Sequence, residues 1–360
     1  MDRDRERITD NPPKAEITDN GQRGTDKIRS LFTAYPYKPF HWLAQFNRSI
    51  LRLRRTKEFE QLLVNYHLNF TQRQDVFQVS LMHNNRLIGF GILQKDNWTS
   101  QQLPFPVFKI LYLLSANRTE QATKTALVQN ILSLISQGQD DRSVRLRRIY
   151  LFARIPTADI SSIKALQTNG FEPIDSLVTF AGEITDLRKV WEAIKPKVQI
   201  TIGECYESDL SDLFAIASDS FRFDRFHSDP TIPKLLADKI YNAWILDSFC
   251  KHQILVARLM DKVCGFISYD ISFLPFFRNG KEGIGTIQLI AVAPNFQSLG
   301  IGKVLIAFAI KLFAESKVSV VSVGTQTNNL LALRLYQSCG FQIVESFSSF
   351  RKWLGRDDVS

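Results

Sequence analysis

The 360-residue sequence predicts an α/β fold built from two copies of one unit, and three observations lead there. The stretch 283–347 reads strand, glycine loop, helix, strand, helix, strand, the alternation of a layered sheet. An ordered repeat relates the halves. Asn84-Asn85-Arg86-Leu87-Ile88-Gly89-Phe90 parallels Met260-Asp261-Lys262-Val263-Cys264-Gly265-Phe266, an offset of 176 (260 against 84). Ile163-Lys164-Ala165-Leu166-Gln167-Thr168-Asn169-Gly170-Phe171 parallels Leu333-Arg334-Leu335-Tyr336-Gln337-Ser338-Cys339-Gly340-Phe341, an offset of 170 (333 against 163), and Asp175-Ser176 parallels Glu345-Ser346. The chain is longer than one core usually serves, and 44% apolar residues can fill two.

In chain order, residues 1–29 hold seven acidic and seven basic residues, two adjacent prolines and almost no large apolar side chain, so a disordered tail is expected. The first unit follows over 30–195 and the second over 196–360, with the join between 185 and 197 near Pro196. In the second unit, 254–260 and 263–271 flank Asp261-Lys262 as a hairpin. Residues 286–292 form a strand, 294–302 a loop and 303–315 a helix apolar on most faces. A β-branched strand covers 319–323. Asn328 or Asn329 caps a helix running to Ser338, Gly340 lies just past its end, and Phe341 begins the last strand.

Composition removes several function classes. No leader pattern and no run approaching eighteen uncharged apolar residues occurs, so a cytoplasmic protein is expected, with no membrane contact. Cys205, Cys250, Cys264 and Cys339 never form a CxxC pair and the five histidines are scattered, so buried thiols are expected and no metal. The net charge of +9 sits in clusters at Arg48, Arg52, Arg54, Arg55, Lys57 and at Arg142, Arg145, Arg147, Arg148. These lack the interleaved aromatics of a nucleic-acid surface, so they read as solvated faces or as attraction for an anionic small substrate, with nucleic acid not expected.

Asn295-Phe296-Gln297-Ser298-Leu299-Gly300-Ile301-Gly302 carries Q-x-x-G-x-G between an apolar strand and an apolar helix. Glycines let the chain turn tightly and present backbone N–H groups, and a helix start adds its positive dipole end, so a pyrophosphate can be held without a metal. A glycine loop alone also serves as a plain turn. The spacing is neither the dinucleotide-binding nor the P-loop pattern.

Leu289-Ile290-Ala291-Val292-Ala293-Pro294 followed by this loop resembles the acetyl-CoA motif of the GNAT superfamily of N-acetyltransferases, and 329–341 resembles its second motif. The resemblance implies tandem GNAT-like mixed-sheet domains, the first degenerate, and acetyl-CoA as co-substrate. It assigns the CoA pyrophosphate to the loop around Gln297, Ser298, Leu299, Gly300, Ile301, Gly302 and Lys303. Pantetheine is assigned to the strand edge Ile290, Ala291, Val292 and to Asn329, and proton donation to Tyr336. Asn329 and Tyr336 stand seven residues apart, two turns along one helix face. The plain alternative for Tyr336 is an aromatic packed above Gly340-Phe341.

Residues 323–336, with 219–227 and Tyr241-Asn242-Ala243-Trp244-Ile245, resemble more narrowly the dTDP-fucosamine acetyltransferases. That likeness implies a small-molecule amine as partner, a sugar nucleotide acetylated at its 4-amino group, with Arg222, Arg225 and His227 on the substrate side; a homodimer is allowed. Guanidinium forks suit a nucleotide phosphate. The alternative for this segment is a loop packed by Phe221, Phe223 and Phe226. No carboxylate lies on 286–292, which leaves ordered water and backbone carbonyls as the proton route, with Glu282 or His227 as weaker candidates. In the first copy Leu166 stands for Tyr336 and the loop Asn117-Arg118-Thr119-Glu120-Gln121-Ala122-Thr123-Lys124 has no glycine, so that copy is expected to be silent. The competing functions are acetylation of another amine, in an antibiotic, polyamine or protein, and acyl-CoA binding without chemistry. The two loop glycines and Tyr336 argue against the last.

Overall fold

The computed structural model describes residues 15–16, 22–35, parts of 61–69, 71–116, 120–137, 148–194, 197–273 and 283–355. The basic cluster at 48–57, Arg142, Arg145, Arg147, Pro196 and Glu282 lie outside them. The first half runs β1 (Ala15–Glu16), α1 (Gln22–Ala34), β2 (Val76–His83), β3 (Arg86–Lys95), α2 (Asn97–Gln102), β4 (Val107–Ser115), α3 (Glu120–Gln137), β5 (Ile149–Pro156), α4 (Ile160–Thr168) and β6 (Glu172–Glu183). Helix α5 (Ile184–Trp191) leads into the second half. There follow β7 (Thr201–Glu204), α6 (Leu210–Ser220), α7 (Lys234–Cys250), β8 (Ile254–Leu259), β9 (Lys262–Ser272), β10 (Gly283–Val292), α8 (Ile301–Glu315), β11 (Val318–Gln326), α9 (Leu330–Ser338) and β12 (Gln342–Leu354).

The repeat is visible in the local chemistry. Asn84-Asn85 and Met260-Asp261 all have positive φ and close the β2–β3 and β8–β9 hairpins as two-residue turns, the second one residue earlier than expected. Asp159 and Asn329 cap α4 and α9 through their side chains. Gly170 (φ +74°) and Gly340 (φ +88°) end those helices in the left-handed region, and Phe171 and Phe341 donate their N–H groups back to Leu166 and Tyr336.

All strands join one 12-stranded sheet in the order β1-β2-β3-β4-β5-β12-β6-β11-β10-β9-β8-β7. The last strand of each half has crossed into the other. β12 pairs antiparallel with β5, β6 pairs antiparallel with β11, and β12 and β6 pair with each other at the centre. The crossing is reciprocal in detail: Thr157 N–H donates to Ser346 O (3.0 Å) and Thr327 N–H to Ser176 O (2.9 Å). Consequently Val178 and Phe180 of β6 sit in the core of the second half with Leu305, Phe313 and Tyr336, while Phe350 of β12 sits in that of the first half with Leu127, Ile131 and Leu166.

Two expectations change. Residues 22–29 are helical, and Ile28, Leu31 and Phe32, at i, i+3 and i+4, pack on Phe90, Ile92, Tyr112 and Leu114, so the first unit begins well before residue 30. Averaging composition over the whole acidic and basic stretch hid that face. All four cysteines are free, but only Cys264 and Cys339 are buried; Cys250 is exposed at the end of α7 and Cys205 half-buried. Among the described residues no helix is long and apolar enough to cross a membrane, and no cluster of three His, Cys, Asp or Glu could hold a metal.

Because each core contains a strand from the other half, the halves should unfold together. Phe180→Ala and Phe350→Ala, each removing a ring that is at most 2% exposed, should each cost about 3–5 kcal/mol in urea unfolding with a single shared transition. Two separate transitions would show that the exchange does not couple the halves.

Candidate active site

β10 and β11 run parallel and pair only from Gly283↔Val318 to Ile287↔Val323. A bulge at Gln288 then turns β10 away, and Leu289–Val292 pair with β9 alone while β11 continues along β6. The edge of Ile290, Ala291 and Val292 that faces β11 therefore has no strand partner at the mouth of a wedge, and its backbone groups, apart from the Val292 C=O that accepts from the Gln297 side chain, are available to an extended amide-bearing arm. The sequence places these residues on a strand; the divergence of the strands is what opens the edge.

The wedge ends at the glycine loop. Pro294–Phe296 form a short 3-10 turn, Ser298 has φ +63°, and Gly300 (φ +86°) is the residue before α8. The N–H groups of Ser298, Leu299, Gly300, Ile301 and Gly302 have no partner among the described residues, so five donors converge at a helix start. Gln297 and Lys303 differ from the rest of the predicted set. Their amides are already bonded, to Pro294 O and Gly300 O, and the Gln297 side chain braces the loop by donating to Val292 O at 3.1 Å. Conformational freedom is needed at Gly300, whereas at Gly302 the limit is space, since a Cβ there would lie 3.2 Å from Leu335 Cδ2 and press on that side chain.

Helix α9 carries the next two residues. Asn329 Oδ1 accepts from Ala332 N–H at 3.2 Å, which fixes the side chain and leaves its NH₂ uncommitted. Tyr336 is 3% exposed and held edge-on by Phe180 (5.6 Å between centroids) and Phe341 (6.3 Å). Burial raises its pKa, so the phenol keeps its proton across the physiological range. One of the two rings that orient Tyr336 comes from the first half of the chain.

On the opposite face of the sheet, strand register aligns Gly324 of β11, Thr179 of β6 and Glu345 of β12 in one row, directly beyond the last β10–β11 pair. Gly324 is exposed, so this row is open. Burial alone drives the Glu345 carboxyl up to about 8. The sequence reading did not select Glu345 as a base, although the Asp175/Glu345 match in the repeat had marked the position. On the same side, Trp244 of α7 donates to Gln288 Oε1 at 3.3 Å, at the start of the wedge.

The predicted substrate residues separate. Arg222 is exposed, while Arg225 turns inward with its guanidinium over the Phe226 and Phe152 rings, at 4.2 and 4.4 Å. His227 is removed as a base: its Nδ1 meets Asp224 and its Nε2 lies 3.0 Å from Asp238 Oδ1. Burial opposes its charge, yet the bonds and charges of Asp224 and Asp238 hold its pKa above the ordinary value, and the imidazolium clamps the 221–233 loop onto α7.

The equivalent wedge in the first half is lined differently, and a pocket of about 540 Å³ between Ser115, Lys124 and Asp159 is bordered by charged side chains. β4 and β5 also diverge after four pairs, but Glu120–Lys124 belong to the first turn of α3, not to a loop; 117–119 lie outside the described residues. Lys124, 1% exposed, bonds Asp159 (2.8 Å), Glu120 (2.8 Å) and Ser161 (2.8 Å). Asp159 is the counterpart of Asn329, so an internal ion pair stands where the second half has an uncommitted amide.

Residues 210–341 match the model of the acetyltransferase (GNAT) family. The chain is 24% identical over 283 residues to the spore coat polysaccharide biosynthesis protein SpsD of Bacillus subtilis, covering 78% of this chain and 89% of that protein. It is 27% identical over 143 residues to an uncharacterized N-acetyltransferase of Archaeoglobus fulgidus, covering 40% of this chain and 93% of that one. Among solved structures, a GCN5-related N-acetyltransferase from Sphaerobacter thermophilus aligns with a TM-score of 0.54 at 12% identity, over 89% of this chain and 96% of that one. A tandem GNAT protein from the clavulanic acid biosynthesis pathway aligns with a TM-score of 0.50 at 12% identity, over 96% of this chain and all of the other (100%). These two share the fold. The family match stops at Phe341, before β12, the strand that this chain gives to its first half. With the open edge of β10 and the free donors at the start of α8 inside it, the segment 210–341 is an acetyltransferase domain of the GNAT family.

Proposed function

We propose that the second half moves an acetyl group from acetyl-CoA to the primary amine of a sugar nucleotide, and within that class to the 4-amino group of a dTDP-linked 4-amino-4,6-dideoxy sugar. The observation that carries the transferase reading is the unpaired edge of β10 leading straight into five unpaired amides. The sugar is supported by likeness: the segments around 219–227 and 323–336, and the 78% of this chain aligned with a protein named for spore coat polysaccharide biosynthesis.

The amides of Ser298 to Gly302 would hold the CoA pyrophosphate, and the β10 edge and the Asn329 NH₂ the pantetheine amides. Acetyl-CoA supplies the activated thioester. For the chain's own groups, Glu345 takes a proton from the bound acceptor ammonium and so frees the amine lone pair that attacks, since a carboxyl held near 8 gains and loses a proton close to neutral pH. Tyr336, protonated throughout, donates to the departing sulfur. Glu345 supplies the base that strand 286–292 lacks.

Gly300→Val places a β-branched residue at φ +86°, and Gly302→Val presses on Leu335; each should weaken acetyl-CoA binding, the first by about 1–3 kcal/mol of strain, in calorimetry on folded protein. The same titration should give one acetyl-CoA per chain. Unchanged affinity, or two sites, would remove the loop from the cofactor site or restore the first copy to it.

Tyr336→Phe should lower kcat about 10²-fold or more with little change in acetyl-CoA Kd. Wild-type kcat/KM should rise as pH passes through about 8 while Glu345 ionises, and Glu345→Gln should lose that limb together with roughly 10²-fold or more of rate. Stability has the opposite sign. A carboxyl raised from 4.5 to about 8 by folding stabilises below 4.5, and the benefit declines as pH climbs to 8, so Glu345→Gln should be at least as stable as wild type at pH 9. A variant with normal pH-rate behaviour would reduce Glu345 to a buried bystander.

A further inference from the structure

The pseudo-twofold relation pairs residues 170 positions apart, 156 with 326 and 177 with 347, and it carries the row Gly324–Thr179–Glu345 onto a second row on the same sheet face, Arg154–Ser349–Asp175. The two rows have opposite electrical character. Where the second half offers an exposed glycine, the first offers a guanidinium: Arg154 alternates with Ala153 and Ile155, which face the core, and its Nε reaches Ser349 Oγ at 3.4 Å.

A second guanidinium is delivered to the same place from the other half. Arg225, on the segment between α6 and α7, and Arg154 both lie over Phe152, their Cζ atoms 4.4 and 5.4 Å from its ring centroid. Among the described residues neither is within ion-pair distance of a carboxylate. The Arg225 Nε is buried without a partner, and so are both carboxylate oxygens of Asp175, which lends its charge without bonding either arginine. Burial and then the neighbouring Arg225 lower Arg154 to about 10. Two cations packed on one ring without a bonded counter-ion are an unfinished arrangement, and forked donors of this kind are completed best by phosphoryl oxygens.

The position connects this pair to the chemistry. Thr179 and Asp175 are four residues apart on β6, about 13 Å at ~3.3 Å per residue, a span of the order of a sugar ring and a diphosphate in line. Helix α7 reaches this face: Ala237 and Ile240 pack with Phe152, Tyr241 acts electrostatically on Arg154, and Trp244 lies one turn on at Gln288, its ring 6.2 Å from that of Tyr241.

We propose that Arg154 and Arg225 form the subsite for the diphosphate of the acetyl acceptor, so that the first copy supplies half of the acceptor site of the second. This rests on the sugar-nucleotide reading above. The full chain, saturated with coenzyme A so that the loop at 298–302 is filled, is titrated calorimetrically with inorganic pyrophosphate and with thymidine diphosphate. Both should bind, and Arg154→Gln and Arg225→Gln should each weaken both about tenfold or more while acetyl-CoA affinity stays within about twofold. In kinetics the same variants should raise KM for the amino-sugar nucleotide and leave kcat nearly unchanged. Should either variant fail to fold, phenylglyoxal labelling of the unaltered chain replaces it: pyrophosphate should protect Arg154 and Arg225 in peptide mass spectra. Absence of diphosphate binding at millimolar concentration, unchanged affinity in folded variants, or unprotected labelling overturns the subsite. Acetylation of an amino-sugar nucleotide with KM untouched by both variants defeats the subsite alone. Arginine-dependent diphosphate binding without acetylation of any amine defeats the acceptor reading and leaves the subsite standing.

Discussion

The exchange of β6 and β12 is the constraint from which the other features follow. A parallel strand pair that diverges to make a wedge cannot close its own sheet, because the strand beyond the wedge loses its neighbour on one side after a few residues. Here β11 is supported along its far edge by β6 from Val320 to Gln326, and β5 by β12 over the whole of its length. Each half can hold its wedge open because the other half supplies the support. The central β12–β6 pair then buries what would otherwise be two strand edges, and only β1 and β7 remain at the margins of the sheet.

That architecture lets the two wedges differ in their lining while the halves still depend on each other. The first wedge has exchanged a glycine loop for an immediate helix start, and the uncommitted amide for the Lys124–Asp159 pair, an arrangement satisfied internally. Such a pair adds little net stability over an apolar core, but removing one partner would leave a buried charge. What the first copy contributes to the second is side chains at the shared sheet: Phe180 against Tyr336, Thr179 beside Glu345, and Arg154 on the row with Ser349.

The parts of this fold that were legible in the sequence are those governed by neighbours along the chain. The second hairpin, expected one residue later than 260–261, the cap at Asn329 and Gly340 just past its helix each have a local steric cause, and their counterparts in the first half, 84–85, Asp159 and Gly170, have the same one. The glycine loop was legible for the same reason, although the sequence could not tell that Gln297 and Lys303 spend their amides internally. Strand exchange was not legible. β6 and β12 have the same pattern and the same register demands, so swapping their partners changes no local preference; the choice lies in long-range pairing. His227 failed as a base for a related reason, since Asp224 lies three residues away in sequence but Asp238 reaches it only through the packing of α7.

Glu345 and Arg154 show why a motif search over the second half alone is incomplete for this chain. In this chain Gly324 is followed across the sheet by Thr179 of the first half, and only then by Glu345. The carboxylate is thus one strand further from the wedge than chain order suggests, in a position where desolvation raises it to about 8. The same extra strand separates Arg154 from Asp175 by Ser349, so that Asp175 acts on Arg154 through its charge without bonding it. A single topological change therefore sets the electrostatics of both rows: it moves one carboxylate toward neutrality and leaves one arginine without a bonded carboxylate.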